Sequence, residues 1–234
     1  MQTLTLRGIS SMATRQVLAE LAGAWRQQGD ADVATEVAFE SVGGVDAARR
    51  VQAGEPFDVV VLDTAALDKL VAAGCVVADS KVDVVRSPVA IAVRAGAPQP
   101  DVGSAATLRQ AALSATTLGY STGPSGTALL QLFERWGILE TVRDRLVQAP
   151  SGVPVARLVA DGEVALGFQQ FSEMMNVSGI EVLGTMPADC AIVSTFSAGL
   201  CTTSTRPDAV RALLAFMCSP VVADIKRRHG MEAA

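Results

Sequence analysis

Strand and helix patterns alternate along the first third of the 234-residue chain, and this alternation constrains its fold more than any other feature. Residues 3–7 and 33–39 predict strands, and residues 57–62 form a continuous apolar run typical of a buried parallel strand. Residues 12–28 predict an amphipathic helix between the first two strands. A β-α-β-α-β-α unit of this kind predicts an α/β fold built on a parallel sheet.

Composition and charge narrow the class of protein. Half of the residues are hydrophobic and 18% are charged, so the chain can bury a substantial core. The net charge of −5 argues against a nucleic-acid partner. No apolar run reaches the roughly 18 residues that a membrane span needs, so we expect no membrane insertion. The first residues lack a signal-peptide pattern, which predicts a cytoplasmic protein, or a periplasmic one if the N-terminus is processed.

The sequence contains few cysteine and histidine residues, which often bind metals in proteins. The cysteines form no CxxC pair, and their spacing fits no zinc site. His229 is the one histidine, and its place beside Gly230 predicts a helix C-terminus rather than a catalytic role. The sequence therefore predicts no metal and no cofactor.

Three short polar segments each stand between a predicted strand and a predicted helix. They are residues 8–11, residues 41–44 and, most prominently, residues 119–126, which read Gly-Tyr-Ser-Thr-Gly-Pro-Ser-Gly. Such loops direct backbone N–H groups and hydroxyls toward one point, and the N-terminus of the following helix adds partial positive charge. Three of them together predict a pocket for an anion.

Several segments resemble bacterial molybdate-binding proteins, which are substrate-binding components of ABC transporters. They are residues 7–12, 40–44, 51–62, 161–168 and the closing Ser-Pro helix start at 219–220. The run Ala-Gly-Glu-Pro-Phe-Asp-Val-Val at residues 53–60 is the most specific of them. The resemblance covers nearly the whole chain.

The resemblance implies the two-lobed type II periplasmic-binding-protein fold, with a small anionic ligand in the cleft between the lobes. We expect the chain to cross between lobes near residues 85–87 and 190–194. Residues 1–86 with 194–234 would then form lobe one, and residues 87–193 would form lobe two. An ABC-transporter permease is the protein partner that the resemblance implies.

The expected ligand-binding residues combine these loops with residues that match the family. In lobe one they are Ser10, Ser11, Ser41 and Gly43, which has backbone freedom beside Gly44. In lobe two they are Ser121, Thr122, Gly123, Ser125, Gln169 and Gln170. Ser10 or Ser11 could instead cap the first helix, as Asp63 or Thr64 could cap the third. Arg7, at the predicted end of the first strand, and Arg86, at a crossing, are further candidates because arginine binds carboxylates in a bidentate manner.

The identity of the ligand stays open at this point. Molybdate-binding proteins carry a tyrosine where this chain has glutamine after residues 165–168, and Gln169 and Gln170 offer both donors and acceptors. This change favours an organic anion, a di- or tricarboxylate, over a tetrahedral oxyanion. A binding module is the first interpretation. The alternatives are a cofactor-independent isomerase of a small polycarboxylate, as bacterial aconitate isomerase resembles this family, and a molybdate- or oxyanion-binding transporter component.

Catalysis by proton transfer would need an acid or base at the site. Tyr120 and Ser121 are the candidate catalytic residues, and Glu40 and the Ser41 hydroxyl are further groups within the same loops.

Overall fold

The computed structural model describes residues 4–28 and 35–234. Its strands are β1 Leu4–Ser11, β2 Thr35–Val42, β3 Val59–Asp63, β4 Val82–Arg94, β5 Leu118–Tyr120, β6 Leu146–Gln148, β7 Leu166–Gln170, β8 Ile180–Thr185, β9 Val193–Leu200 and β10 Glu232–Ala233. Its α-helices are α1 Arg15–Gln28, α2 Gly44–Gln52, α3 Thr64–Ala72, α4 Ala105–Ser114, α5 Pro124–Arg135, α6 Leu139–Val142, α7 Val155–Asp161, α8 Phe171–Met174, α9 Pro207–Met217 and α10 Ala223–Arg228.

The alternation of strands and helices predicted for the first third of the chain is confirmed. β1, β2 and β3 alternate with α1, α2 and α3, and the three strands are parallel. Thr3 and residues 33–34, which the sequence places in the first two strands, lie outside the described residues.

The chain divides into two compact units. Unit one comprises residues 1–86 and 195–234, and unit two comprises residues 87–194. The boundaries fall inside β4 and β9, so the chain passes between units within strands rather than through a linker. The assignment of residues 1–86 with 194–234 and 87–193 as ligand-binding lobes stays a prediction.

Unit one is a sheet with helices on both faces. Its strands lie in the order β2-β1-β3-β9, with β9 antiparallel to β3. Alternate residues of β1 and β3 point to opposite faces, so Leu6 and Val61 pack with α1 and α9, whereas Ile9 and Val60 pack with α2 and α3. Burial on both faces explains why β3 is a continuous apolar run.

Unit two repeats this arrangement with other elements. β6, β5 and β7 are parallel neighbours, β4 is antiparallel to β7, and β8 is antiparallel to β4. Phe133 from α5 packs edge-on against Phe168 of β7 in the main core of this unit. The carboxyl ends of β5 and β7 lie side by side, because Gly119 is in register with Gly167.

Among the described residues, no helix is both long and apolar enough to cross a membrane.

Candidate functional site

In unit one, three predicted ligand-binding serines come together at the carboxyl ends of β1 and β2. The parallel register aligns Ser10 with Ser41, and their Oγ atoms lie 2.8 Å apart. The Ser10 hydroxyl also lies 3.2 Å from the carbonyl oxygen of Ser11, to which it can donate. We call Ser10, Ser11 and Ser41 the serine edge. Ligands of open α/β sheets bind at this end of the strands.

Ser11 carries the least satisfied hydroxyl of the serine edge. Its side chain points to the opposite face from Ser10, beside Gly44 at the start of α2. The residue is 7% exposed, and its Oγ has no hydrogen-bond partner among the described residues. A buried hydroxyl without a partner costs stability, so it is a feature that calls for an explanation at a candidate binding edge.

The loops expected at residues 8–11 and 41–44 are largely strand. β1 continues through Ser11 and β2 through Val42, because their backbones stay paired to the last residue. The expected capping role is also wrong: Ser11 precedes a short 3₁₀ turn, but its side chain makes no capping bond. α1 begins only at Arg15.

Gly43 follows β2 and Asp63 ends β3, next to the serine edge. Gly43 is the N-cap of α2 with φ −55°, a conformation open to any residue, so the expected backbone freedom is not used. Asp63 ends β3 and accepts a hydrogen bond from the Ala65 N–H at 3.0 Å, which confirms the predicted helix cap. Burial raises the pKa of Asp63, and the N–H groups of Ala65 and Ala66 oppose the increase.

The structure places the two candidate arginines in ion pairs. Arg7 lies in the interior of β1 rather than at its end, four residues before Ser11 and so about 13 Å away along an extended strand. Its guanidinium group lies 3.9 Å from the Glu55 carboxylate. Arg86 lies 3.5 Å from Glu232, which belongs to the β10 strand paired with β4. Both arginine side chains are about half exposed, and each has a glutamate as its ion-pair partner.

In unit two, the polar loop after β5 is shorter than predicted: residues 121–123 join β5 to α5, and Gly119 and Gly126 lie inside the strand and the helix. The Ser121 and Ser125 hydroxyls lie 3.1 Å apart. Thr122 is exposed, and Gly123 is the N-cap of α5, which begins at Pro124. Proline at the first helical position is favoured because no N–H is needed there.

Gly126 determines how tightly this loop folds. A Cβ atom at this position would lie 1.9 Å from the carbonyl oxygen of Ser121, which no side chain could tolerate without a backbone shift. The same atom added at Gly123 would find its nearest neighbour, the Ser121 Oγ, at 3.8 Å. Packing therefore requires a glycine at position 126 but not at position 123.

The two predicted glutamines end β7 and are both buried. The Gln169 Oε1 accepts a hydrogen bond from the Ala156 N–H of α7 at 3.0 Å. The Gln170 Nε2 donates to the Ser194 Oγ at 2.7 Å. Gln170 is 4% exposed, and its Oε1 has no hydrogen-bond partner among the described residues.

Sequence reasoning missed Glu173, which lies in α8 three residues after the end of β7. This carboxyl group is partly buried and accepts a hydrogen bond from the Gln169 side chain. Burial raises the pKa of Glu173 to about 7, and the bond from Gln169 opposes the increase. We call Ser121, Ser125, Gln169, Gln170 and Glu173 the glutamine edge.

The remaining acid–base candidates lie in ordinary structural settings. Tyr120 ends β5 with its ring packed on the main core of unit two. Glu40 is paired with Arg50, which lowers the pKa of its carboxyl group. His229 is the C-cap of α10, as predicted, and its Nε2 lies 2.7 Å from Glu20. Within the described ranges, no group of three acidic, cysteine or histidine side chains could hold a metal ion.

Known protein sequences match most of the length of the chain. Residues 6–232 match the family model described as bacterial extracellular solute-binding protein. An aconitate isomerase from Pseudomonas sp. is 38% identical over 184 residues, which cover 78% of this chain and 70% of that protein.

Solved structures extend the comparison to the fold. The periplasmic molybdate-binding protein of Azotobacter vinelandii superposes with a TM-score of 0.79 at 18% identity, covering 98% of this chain and 99% of that one. The sulfate-binding protein SubI of Mycobacterium tuberculosis gives a TM-score of 0.79 at 15% identity, covering 99% and 87%. At these identities the likeness establishes the fold, and the predicted type II periplasmic-binding-protein fold is confirmed. The chain belongs to the family of bacterial extracellular solute-binding proteins.

Proposed function

We propose that this protein binds a small tricarboxylate of the aconitate type and interconverts its cis and trans isomers. The binding module ranks first from the sequence alone, and the relative at 38% identity moves the isomerase ahead of it. The serine edge and the glutamine edge are each a candidate set of hydrogen-bonding groups for such a ligand.

The serine edge is the observation that carries the binding part of the proposal. It presents three hydroxyls at the carboxyl ends of adjacent parallel strands, and the buried Ser11 hydroxyl has no hydrogen-bond partner in the described part of the chain. Hydroxyls can rotate their protons toward an incoming carboxylate. An anion at this edge would give Ser11 the hydrogen bond that it lacks in the protein alone, which accounts for burying that hydroxyl.

The reaction itself needs only movement of a proton and a double bond. Aconitate has a methylene carbon on one side of its central carbon and a double bond to a vinyl carbon on the other. A base removes one methylene proton, the electron pair shifts through the central carbon, and the former vinyl carbon takes up a proton. One C–H bond breaks and one forms, and the new double bond can have either geometry. This chemistry needs an acid–base group with a pKa near neutral pH.

A carrier without catalysis is the second candidate. The serine edge supplies neutral donors, and Arg7 and Arg86 are each paired with a glutamate. Neutral donors also suit a tetrahedral oxyanion such as molybdate. In that case an ABC-transporter permease would be the partner.

Ligand screening by thermal shift and calorimetry separates these candidates, because a bound ligand raises the melting temperature by mass action. We expect trans-aconitate, cis-aconitate and the saturated analogue propane-1,2,3-tricarboxylate to stabilise the protein more than molybdate, tungstate or sulfate. Ser41→Ala should weaken the tricarboxylate response, with the exposed Ser114→Ala as the matched control. Tight molybdate binding with no tricarboxylate response would refute the proposal and favour the oxyanion carrier.

A further inference from the structure

We propose that Glu173 is the acid–base residue that moves the substrate proton. This inference rests on the isomerase function proposed above and goes beyond it by naming the group. Tyr120 and Ser121, the candidates from the sequence, have no adjacent base among the described contacts: Tyr120 packs on the core and Ser121 faces Ser125.

The position of Glu173 in the fold supports this role. It lies in the first turn after β7, at the strand end where ligands of α/β sheets bind. In register, Ser121 follows β5 at the same level of the sheet as Gln169 in β7. Glu173 therefore shares an edge with the polar loop whose sequence predicts anion binding.

The orientation of the carboxyl group is fixed by a neighbour that is itself fixed. Gln169 is 3% exposed, and its Oε1 accepts from the Ala156 N–H at 3.0 Å. That bond leaves the amide NH₂ group to donate to Glu173. A carboxyl group held in this way is positioned before substrate arrives, which general acid–base catalysis requires.

Glu173 has no ion-pair partner among the described residues, unlike Glu20, Glu40 and Glu55. Glu40 and Glu55 both bind Arg50, and Glu20 binds Arg228 and His229. Burial and the Gln169 amide alone act on the pKa of Glu173, with no contribution from a charged side chain of the described residues. A partly buried carboxyl without a cation reduces stability, and when ionised it repels an anionic ligand.

A carrier of anions gains nothing from such a group, whereas a proton-transfer enzyme needs one. The pKa of Glu173, near 7, allows both protonation states at neutral pH. The carboxylate accepts the methylene proton and, as the acid, returns a proton to the former vinyl carbon. Glu173 ends the cycle in its starting state, so no further reactant is consumed.

The test compares Glu173→Gln, Glu173→Asp and the exposed control Glu134→Gln. Formation of cis-aconitate from trans-aconitate is followed by proton NMR in D₂O, and binding of propane-1,2,3-tricarboxylate by calorimetry. We expect Glu173→Gln to lower turnover at least 100-fold while its Kd for the saturated analogue stays within about threefold or improves, since a charge that repels the ligand is gone. Glu173→Asp should retain more turnover than Glu173→Gln, and Glu134→Gln should match the parent protein.

The pH profile gives a second reading that does not depend on the glutamine variant folding. Because the carboxylate must accept the proton, kcat/KM should fall as the pH drops below about 7, and Glu173→Asp should shift this limb.

Three results would overturn the inference. An active parent with an active Glu173→Gln variant would reject Glu173 alone and leave the isomerase function standing. Equal loss of turnover and analogue binding would make Glu173 a binding or structural residue. A parent that binds aconitate without converting it would reject the isomerase function and this inference together.

Discussion

The serine edge of unit one and the glutamine edge of unit two occupy equivalent places in their sheets but differ in chemistry. At the serine edge, the candidate ligand-binding groups are hydroxyls, and those of Ser10 and Ser41 are hydrogen-bonded to each other at 2.8 Å. At the glutamine edge, two buried amides stand beside a carboxyl group whose pKa is near 7. The hydroxyls of the serine edge do not change protonation state at ordinary pH, whereas the Glu173 carboxyl group of the glutamine edge can exchange a proton. We therefore propose proton transfer at the glutamine edge and not at the serine edge.

The largest expected effect comes from breaking the loop of the glutamine edge. Gly126→Ala places a Cβ atom 1.9 Å from the Ser121 carbonyl oxygen, so the backbone must move. We expect a loss of about 3 kcal/mol in the free energy of unfolding, measured by urea denaturation. Gly123→Ala is the matched control, because its Cβ would meet nothing closer than 3.8 Å. Equal stability of the two variants would show that the loop is not built as described.

The second expected effect is a change of stability with pH near neutrality, caused by Glu173 at the glutamine edge. The pKa of Glu173 is raised to about 7 in the folded protein, so the native state favours the protonated form. The resulting stability is full below about pH 4.5 and is lost as the pH rises to about 7. Glu173→Gln should therefore be more stable than the parent by about 2 kcal/mol at pH 8, a value reduced for its partial exposure.

The same comparison at pH 4.5 should show little difference between Glu173→Gln and the parent. Thermal unfolding across this pH range measures both. A stability gain that is constant with pH would contradict the raised pKa.

The third effect measures the pairing within the serine edge. Ser10→Ala and Ser41→Ala each remove one partner of the 2.8 Å contact. A double-mutant cycle should give a coupling of about 1 kcal/mol in the free energy of unfolding. Coupling within error of zero would mean that the two hydroxyls do not bond in solution.

The smallest effect on stability should come from Ser11, whose hydroxyl has no partner among the described residues. Ser11→Ala should change the free energy of unfolding by less than about 0.5 kcal/mol, or increase it, since no hydrogen bond is lost. The same variant should weaken tricarboxylate binding by about 1 kcal/mol, roughly fivefold. A clear loss of stability with unchanged ligand affinity would assign Ser11 a structural role.

Local sequence patterns predicted the fold and identified the candidate binding residues. Alternating strands and helices, and the Ser-Thr-Gly-Pro-Ser-Gly loop, are local signals that tertiary structure preserved. Where β1 ends was not a local property: pairing with β2 extends it to Ser11 and moves Arg7 into its interior. The polar residues near the end of β1 could be identified from the sequence, but the length of β1 depends on its pairing with β2.

Glu173 shows what sequence reasoning could not reach. The acidic residue after Phe171 and Ser172 is visible in the sequence, and it follows a buried strand. Burial raises its pKa, and the hydrogen bond from Gln169, whose Oε1 accepts from the Ala156 N–H of another helix, opposes the increase. Both are tertiary properties. The candidate binding residues were therefore easier to identify from the sequence than the residue proposed to react.

The most direct test of the central claim is proton NMR of trans-aconitate incubated with the protein in D₂O at pH 7.5. The account predicts that cis-aconitate accumulates until the two isomers reach equilibrium, with deuterium entering the methylene position. Unchanged trans-aconitate after prolonged incubation, with calorimetry showing tight binding of molybdate and none of aconitate, would contradict it.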